Sequence, residues 1–368
     1  MKVSYEKAWA QIKDKTLRDM HVLVGFDAVV DHLVQLVKHR DEKGVETLFS
    51  TVEEFGAYLC SKKGMSCCLE LKTITSKIGG NMAILAQALA KQGANVSCIG
   101  TLGEENSFLH QTLAEDCEVY SIAPSGSCTA LEFQDGKVML ADIKAMQICW
   151  QDVLNHLGAE RLADLLRRSE ILCLVNWSEL IHASEVWREL LQFAIARQIA
   201  GDKTVFFDLA DCSLRSVADI RECVSIMADY SRHFKTVLGL NRNEAQILSK
   251  TYGIETEAIT EMGPALQQVI QVGALIIHSK HGAHVFDADG NVYEGMSFVC
   301  ENPLTLTGCG DNFNAGYCLG ILLGLESEGC LLLANAASGY YVRTGQSASF
   351  DCLKTFIEDR LDKKVDRE

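Results

Sequence analysis

The chain has 368 residues, more than the roughly 250–300 at which one hydrophobic core stops growing, so one large domain with an accessory piece, or two domains, is expected. Nearly half of it, 48%, is apolar, enough for a substantial core. The formal net charge of −15 argues against nucleic acid or an anionic membrane as the main partner, while leaving room for small anionic ligands held by local amide dipoles.

The N-terminal stretch MKVSYEKAWAQIKDK is charged and lacks a signal-type apolar core, and no apolar run approaches the roughly 18 residues of a membrane span, so a soluble cytoplasmic protein is expected. HVLVG (21–25) reads as a strand, followed by a long insertion over residues 28–75. NMAILAQALAKQ (81–92) predicts a helix stopped by Gly93, and VSCIG (96–100) a second strand. In residues 118–143, VYSIAP precedes TALEFQDGKVMLAD, where Asp135-Gly136 is a hairpin signal between two extended runs. Together with the 28–75 insertion it predicts a small β-rich lid. Further strands are ILCLVNW (171–177), TVFFDL (204–209), TVLGLN (236–241) and ALIIHS (274–279), with helical segments between them. Continuous apolar strands alternating with helices imply a parallel sheet covered on both faces. No repeat or flexible linker is visible, so residues 1–368 read as a single domain with the lid inserted in it. Most of the 15 cysteines sit in apolar runs without any CxxC pair; reduced thiols are expected, with neither a disulfide scaffold nor a zinc site.

Chemistry concentrates in TLTGCGDNFNAGYCLG (305–320). Gly308, Cys309 and Gly310 carry little or no side-chain bulk, so their N–H groups can approach a ligand at the mouth of the helix that follows, where negative charge is favoured. Asp311 beside a bound phosphate would suit a general base that takes the proton of an attacking hydroxyl; as a plain N-cap it would need no ligand at all. Gly79-Gly80-Asn81 opens another helix in the same way, or is an ordinary turn with a capping Asn. Asn241 and Glu244 stand three apart after a strand, which suits either a Mg²⁺ water shell held by Glu244 or a capping box. His278, His281 and His284 recur every three residues but lack a fourth ligand, so packed or solvated histidines are expected. Asp208 ends a strand, as cleft residues of α/β proteins do, and Trp177 reads as core.

The order of these elements resembles the PfkB/ribokinase family of carbohydrate and nucleoside kinases, from VGFDAVVD (24–31) to ANAASGYYVRTGQ (334–346). The resemblance implies an α/β, three-layer ribokinase-like fold with a parallel-rich central sheet and a small β-rich lid. It implies Mg²⁺-dependent transfer of the ATP γ-phosphoryl group to a hydroxyl of a sugar or nucleoside. Asp311 would be the base and Gly308, Cys309 and Gly310 the anion hole, with Cys309 where the family usually has alanine. Asp27, then Asp31, with Gly79, Gly80 and Asn81, would bind the acceptor. Asn241 and Glu244 would organise Mg²⁺ and phosphates through water, and Gly282 and Asn335 would meet the nucleotide. The family's Thr-x-Gly ahead of the nucleotide loop is replaced by Ile277-His278-Ser279. Lids of the family often pair into dimers, so a homodimer is open. A non-catalytic ligand-sensing or partner-binding protein is the opposing reading, whereas a dinucleotide oxidoreductase lacks its GxGxxG after an early strand.

Overall fold

The computed structural model describes residues 3–142, 147–199 and 201–365. The chain enters through α1 (Tyr5–Ile12), capped by the Ser4 hydroxyl, and β1 (His21–Phe26). It then leaves for the lid through β2 (Val29–Arg40), β3 (Glu46–Leu48), α2 (Val52–Ser61) and β4 (Glu70–Gly79). It returns as α3 (Asn81–Gln92), β5 (Asn95–Gly100), α4 (Phe108–Ala114) and β6 (Cys117–Ser121), and goes back for the lid hairpin β7 (Gly126–Glu132) and β8 (Lys137–Asp142). Next come α5 (Trp150–Leu157), α6 (Ala159–Arg168), β9 (Ile171–Leu174), α7 (Ala183–Ala196), β10 (Thr204–Asp208) and α8 (Val217–Tyr230). They are followed by β11 (Lys235–Asn241), α9 (Arg242–Thr251), α10 (Ile259–Ile270) and β12 (Ala274–Ser279). The antiparallel pair β13 (Gly282–Asp287) and β14 (Val292–Met296) precedes α11 (Cys309–Leu322), α12 (Ser327–Thr344) and α13 (Phe350–Val365).

The main sheet runs β14-β13-β12-β11-β10-β9-β1-β5-β6, parallel from β12 to β6 and closed at one edge by the β13–β14 hairpin. Its inner strands are unbroken apolar runs because helices cover both faces. Phe206 and Phe207, neighbours on β10, point to opposite sides of the pleat. Phe207 joins Trp177, Trp187 and Tyr230 in one core, while Phe206 joins Met82, Leu89, Phe313 and Leu331 in the other. The second core packs α3 and α11 against the sheet, and so fixes where both helices begin. Seven cysteines are buried, and all fifteen are free thiols.

The lid is a separate sheet built on β2, which pairs with β3 and β4 antiparallel and with β7 parallel; β8 completes it. The Asp135-Gly136 hairpin forms as expected, Phe133 donating its N–H to the Gly136 carbonyl at 2.9 Å. Two boundaries are corrected. Residues 117–121, assigned above to the lid from residue 118, are β6 at the edge of the main sheet, because α4 carries the chain back over the sheet to lie parallel to β5. The first insertion also runs on to Gly79 and contains α2, which lays Phe55 and Tyr58 over a small lid core of Val34, Leu36, Phe49 and Leu131.

Candidate active site

The carboxyl ends of β1, β9, β10, β11 and β12 converge where α3 and α11 start. At the mouth of α3 the Asp27 carboxylate accepts the N–H groups of Asn81 (2.8 Å) and Met82 (2.9 Å), filling the helix's exposed amides. Its Oδ2 also accepts from Asn176 Nδ2 at 2.8 Å, and the side chain is 0% exposed. Burial raises this carboxyl to about 7 against its three hydrogen bonds, which favour the ionised form. The glycine pair is there to admit carboxylates. A Cβ on Gly80, at φ +85°, would lie 2.7 Å from Asp27 Oδ2, and one on Gly79 would lie 2.7 Å from the Asp31 carboxyl. Asp31, on β2, reaches this place from the lid; burial raises its carboxyl too, and Lys77 and Lys137 work against the rise.

Asn81 faces the other helix. Its Nδ2 donates to Asp311 Oδ1 at 2.9 Å, joining the mouths of α3 and α11 through one side chain. Gly308, at φ +89°, turns the chain into α11, with the Tyr341 hydroxyl so close that a Cβ would meet it at 2.8 Å. That hydroxyl donates to the Thr307 carbonyl at 3.1 Å, pinning the turn to α12. The Cys309 N–H donates to the Leu306 carbonyl at 3.2 Å, so one of the three amides expected to form an anion hole is engaged within its own turn. Asp311 is buried on the first turn, and burial, then the Asp208 charge, push its carboxyl well above the ordinary range.

Asp208 belongs to this site, the outcome its strand-end position allowed: its Oδ2 accepts from Asn314 Nδ2, one turn after Asp311, at 2.7 Å. Asn241 and Glu244 form the capping box. Each backbone N–H donates to the other's side chain, and Asn241 Nδ2 donates to Glu244 Oε1 at 2.6 Å. Burial and the neighbouring Asp208 raise Glu244 to about 9. No ion pair among the described residues offsets Asp208, Glu244 or Asp311. A hard cation fits beside such oxygens. Because no described cluster of three ligating side chains exists, it would rest largely on water and on a ligand's own oxygens.

Next to Asp311, across the Cys309–Gly310 turn, opens a cleft of about 670 Å³ lined by Asn241, Arg242, His278, Lys280, Phe298 and Asn335 among others. Arg242 and Lys280 are cations, and none of the lining residues is acidic, although the whole chain carries −15. Exposed Val299 and Leu306 give it an apolar rim.

The sequence model of the prokaryotic ketohexokinase family matches residues 5–360. The chain belongs to that family. A ketohexokinase of Haloferax volcanii is 27% identical over 346 residues, covering 93% of this chain and 92% of its own. Solved structures give the same fold: an Arabidopsis thaliana ribokinase complexed with ribose and ATP (TM-score 0.66, 15% identity, 93% of this chain and 99% of that one). A Sinorhizobium meliloti adenosine kinase has TM-score 0.65 and 18% identity, with the same coverage. The expected ribokinase-like α/β architecture with its lid is therefore what the chain adopts, and this ketohexokinase-family protein is a carbohydrate kinase.

In this carbohydrate kinase the fold brings Asp27, Asp31, Gly79, Gly80 and Asn81 together with Gly308, Cys309, Gly310 and Asp311, and sets Asn241, Glu244 and Asn335 beside them. Gly282 is not part of the cleft wall. It sits where β13 meets β14, and a Cβ there would lie 2.5 Å from the Gly295 carbonyl, so close strand packing accounts for it. Asn335 is buried, its Nδ2 donating to the Leu331 carbonyl (2.9 Å) and the Tyr5 hydroxyl (3.3 Å). Sequence reasoning missed Asn176, Glu179 and Tyr341. Asn176 takes a left-handed backbone (φ 54°) just past β9 and bridges Asp27 to Glu179, whose Oε2 it reaches at 2.9 Å. An Asn two residues beyond a buried strand was its only signal, and Trp177 beside it is core as expected. No helix of the described residues is long and apolar enough to cross a membrane.

Proposed function

We propose that the protein transfers the γ-phosphoryl group of ATP to a hydroxyl of a ketohexose, with Asp311 as general base. The observation that carries this is the 2.9 Å hydrogen bond from Asn81 to Asp311, which places the buried carboxylate between the α3 mouth and the cation-lined cleft. An acceptor sugar lies against Asp31, Asn81 and the exposed Glu179, whose oxygens accept hydrogen bonds from its hydroxyls. Asp27 is the best sequence match for acceptor binding, but with no exposed surface and both oxygens taken it acts here by holding the mouth of α3 and orienting Asn81 and Asn176.

The triphosphate lies in the cleft with its terminal group at the mouth of α11, where amides and the helix dipole favour its charge. The Cys309 N–H leaves the Leu306 carbonyl to join Gly308 and Gly310 in the anion hole. Asp311, deprotonated, takes the acceptor proton as the oxygen attacks phosphorus in line with the departing ADP. Mg²⁺, held through water by Glu244 and Asn241 beside Asp208, supplies charge neutralisation on the phosphates when bound. The lid, which carries Asp31, covers the acceptor and keeps water from competing.

The Haloferax relative's name favours a ketohexose over other sugars, and a family model matched over residues 5–360 supports the same acceptor class. ADP release measured with Mg-ATP and a panel of ketohexoses, aldohexoses, pentoses and nucleosides tests it. Turnover on a ketohexose, at a kcat/KM at least about tenfold above every other acceptor, is expected. Preference for a nucleoside would replace the acceptor assignment, and ATP binding without turnover on any acceptor would favour a sensing role.

A further inference from the structure

Within the donor cleft one half-buried ring has no polar partner among the described residues. His278 is the penultimate residue of β12, and the strand register sets it directly beside Asn241 on β11. Its ring stacks on Phe313 with centroids 4.8 Å apart and planes 27° from parallel, so its orientation is fixed from α11. The ring edge meets the mouth of that helix: Cε1 is the nearest atom, at 3.8 Å, to where a Gly310 Cβ would stand. No hydrogen bond to the ring nitrogens exists among the described residues, although the imidazole lies half-buried in the cleft wall. A packed histidine ordinarily satisfies at least one of its two nitrogens. The neighbours that could receive such a donor, the oxygens of a phosphate chain, would lie in the cleft that Arg242 and Lys280 also line.

We propose that His278 is a donor-binding residue whose ring N–H hydrogen-bonds a non-transferred phosphate of the nucleotide, seating the polyphosphate against Gly310. The inference rests on the kinase reading above and adds to it the residue that places the donor. Burial lowers the ring to about 4, so at neutral pH it is an uncharged imidazole offering one directed N–H. Where the resembling family has Thr-x-Gly, this chain has Ile277-His278-Ser279, which puts an imidazole at the middle position of the triplet.

Two variants separate this role from packing. His278→Phe keeps a flat ring against Phe313 and removes both nitrogens; His278→Gln restores an N–H donor. We expect His278→Phe to raise the KM for ATP about tenfold and to weaken binding of inorganic tripolyphosphate by the same factor, the cost of one directed hydrogen bond. Adenosine affinity, the acceptor KM and the melting temperature should stay as in the parent, and His278→Gln should recover most of the loss. The inference is overturned if His278→Phe leaves the ATP KM and tripolyphosphate affinity within twofold, or if it lowers adenosine and acceptor affinity together with the melting temperature. Should the unmodified chain bind neither ATP nor tripolyphosphate, the kinase reading of the cleft falls and takes the inference with it.

Discussion

The mouths of α3 and α11 are built from the same local parts and put to opposite uses. Each follows glycine at positive φ, each helix begins at the carboxyl edge of the sheet, and each gathers a carboxylate. At α3 the carboxylate is Asp27, which comes from β1's end and fills the amides with protein oxygens. At α11 the carboxylate is Asp311, part of the helix itself, and it accepts from Asn81 while the Cys309–Gly310 turn lines the cleft. A helix N-terminus attracts an anion in both cases. Whether the anion is the protein's own decides whether the place is a scaffold or a site.

Removing the charge at α11 should have the largest effect. Asp311→Asn keeps the shape and the Asn81 contact in outline but cannot take a proton, so kcat should fall by about 10²–10⁴ with ATP affinity little changed. Single-turnover ADP formation, with ATP binding measured alongside, checks both halves. As the proposed base, Asp311 would also make the activity pH-dependent. Its carboxyl is raised by burial and Asp208, and the deprotonated form is the active one, so kcat/KM should drop on the acid side at a pH above the usual carboxylate range. The Asn81 hydrogen bond lowers that carboxyl, so Asn81→Ala should move the acid limb to still higher pH. An unmoved limb would mean that another group titrates.

Breaking the scaffold side should cost stability rather than chemistry. Gly80→Ala asks an alanine to hold φ +85° and drives its Cβ against Asp27 and the Ala28 backbone, at a cost of about 3 kcal/mol seen in denaturant unfolding. Asp27→Asn is milder. It removes one acceptor oxygen and strands a buried N–H, worth about 1–3 kcal/mol. Asp27's folded carboxyl is raised to about 7 from an ordinary 3.8, so the folded protein holds the extra proton between those values. The stability this group contributes is therefore whole below about pH 4 and lost as pH rises through about 7. Unfolding curves of the parent should show that slope, and those of Asp27→Asn should lose it.

The sequence disclosed these two helix mouths unequally. The α11 mouth was legible because its parts are contiguous: three small residues, an aspartate and an apolar helix within one short run. At α3 the glycines were visible but their purpose was not, since the carboxylates that need the space lie about fifty residues earlier in the chain. Asn176 was illegible for the same reason, its partner Asp27 being 149 residues away. The alternation of apolar strands and helices carried the main sheet, yet β6 was drawn into the lid because a short edge strand and a lid strand share one pattern. Thr51 and Glu54, spaced as the cap of α2, were a local helix signal that the β-rich reading of this insertion passed over. Local spacing thus fixes elements, and long-range packing decides which polar groups become partners.

Gly310→Ala should give the smallest effect on the free protein, and it sharpens the contrast most. Unlike Gly80, this glycine has no positive φ, and the nearest atom to an added methyl is His278 Cε1 at 3.8 Å, an ordinary contact. Alanine also suits a helix better than glycine by about 1 kcal/mol, so the melting temperature should hold or rise slightly. Nothing in the protein requires glycine here. If the space above the α11 amides is kept for a phosphate, the methyl will intrude on it, and the ATP KM should rise while stability does not fall. If ATP binds the variant as it binds the parent, the phosphate does not approach from that side. The bare turn would then be a folding feature, as the α3 glycines are, and the anion hole would have to be sought on the face nearer Gly308 and Tyr341.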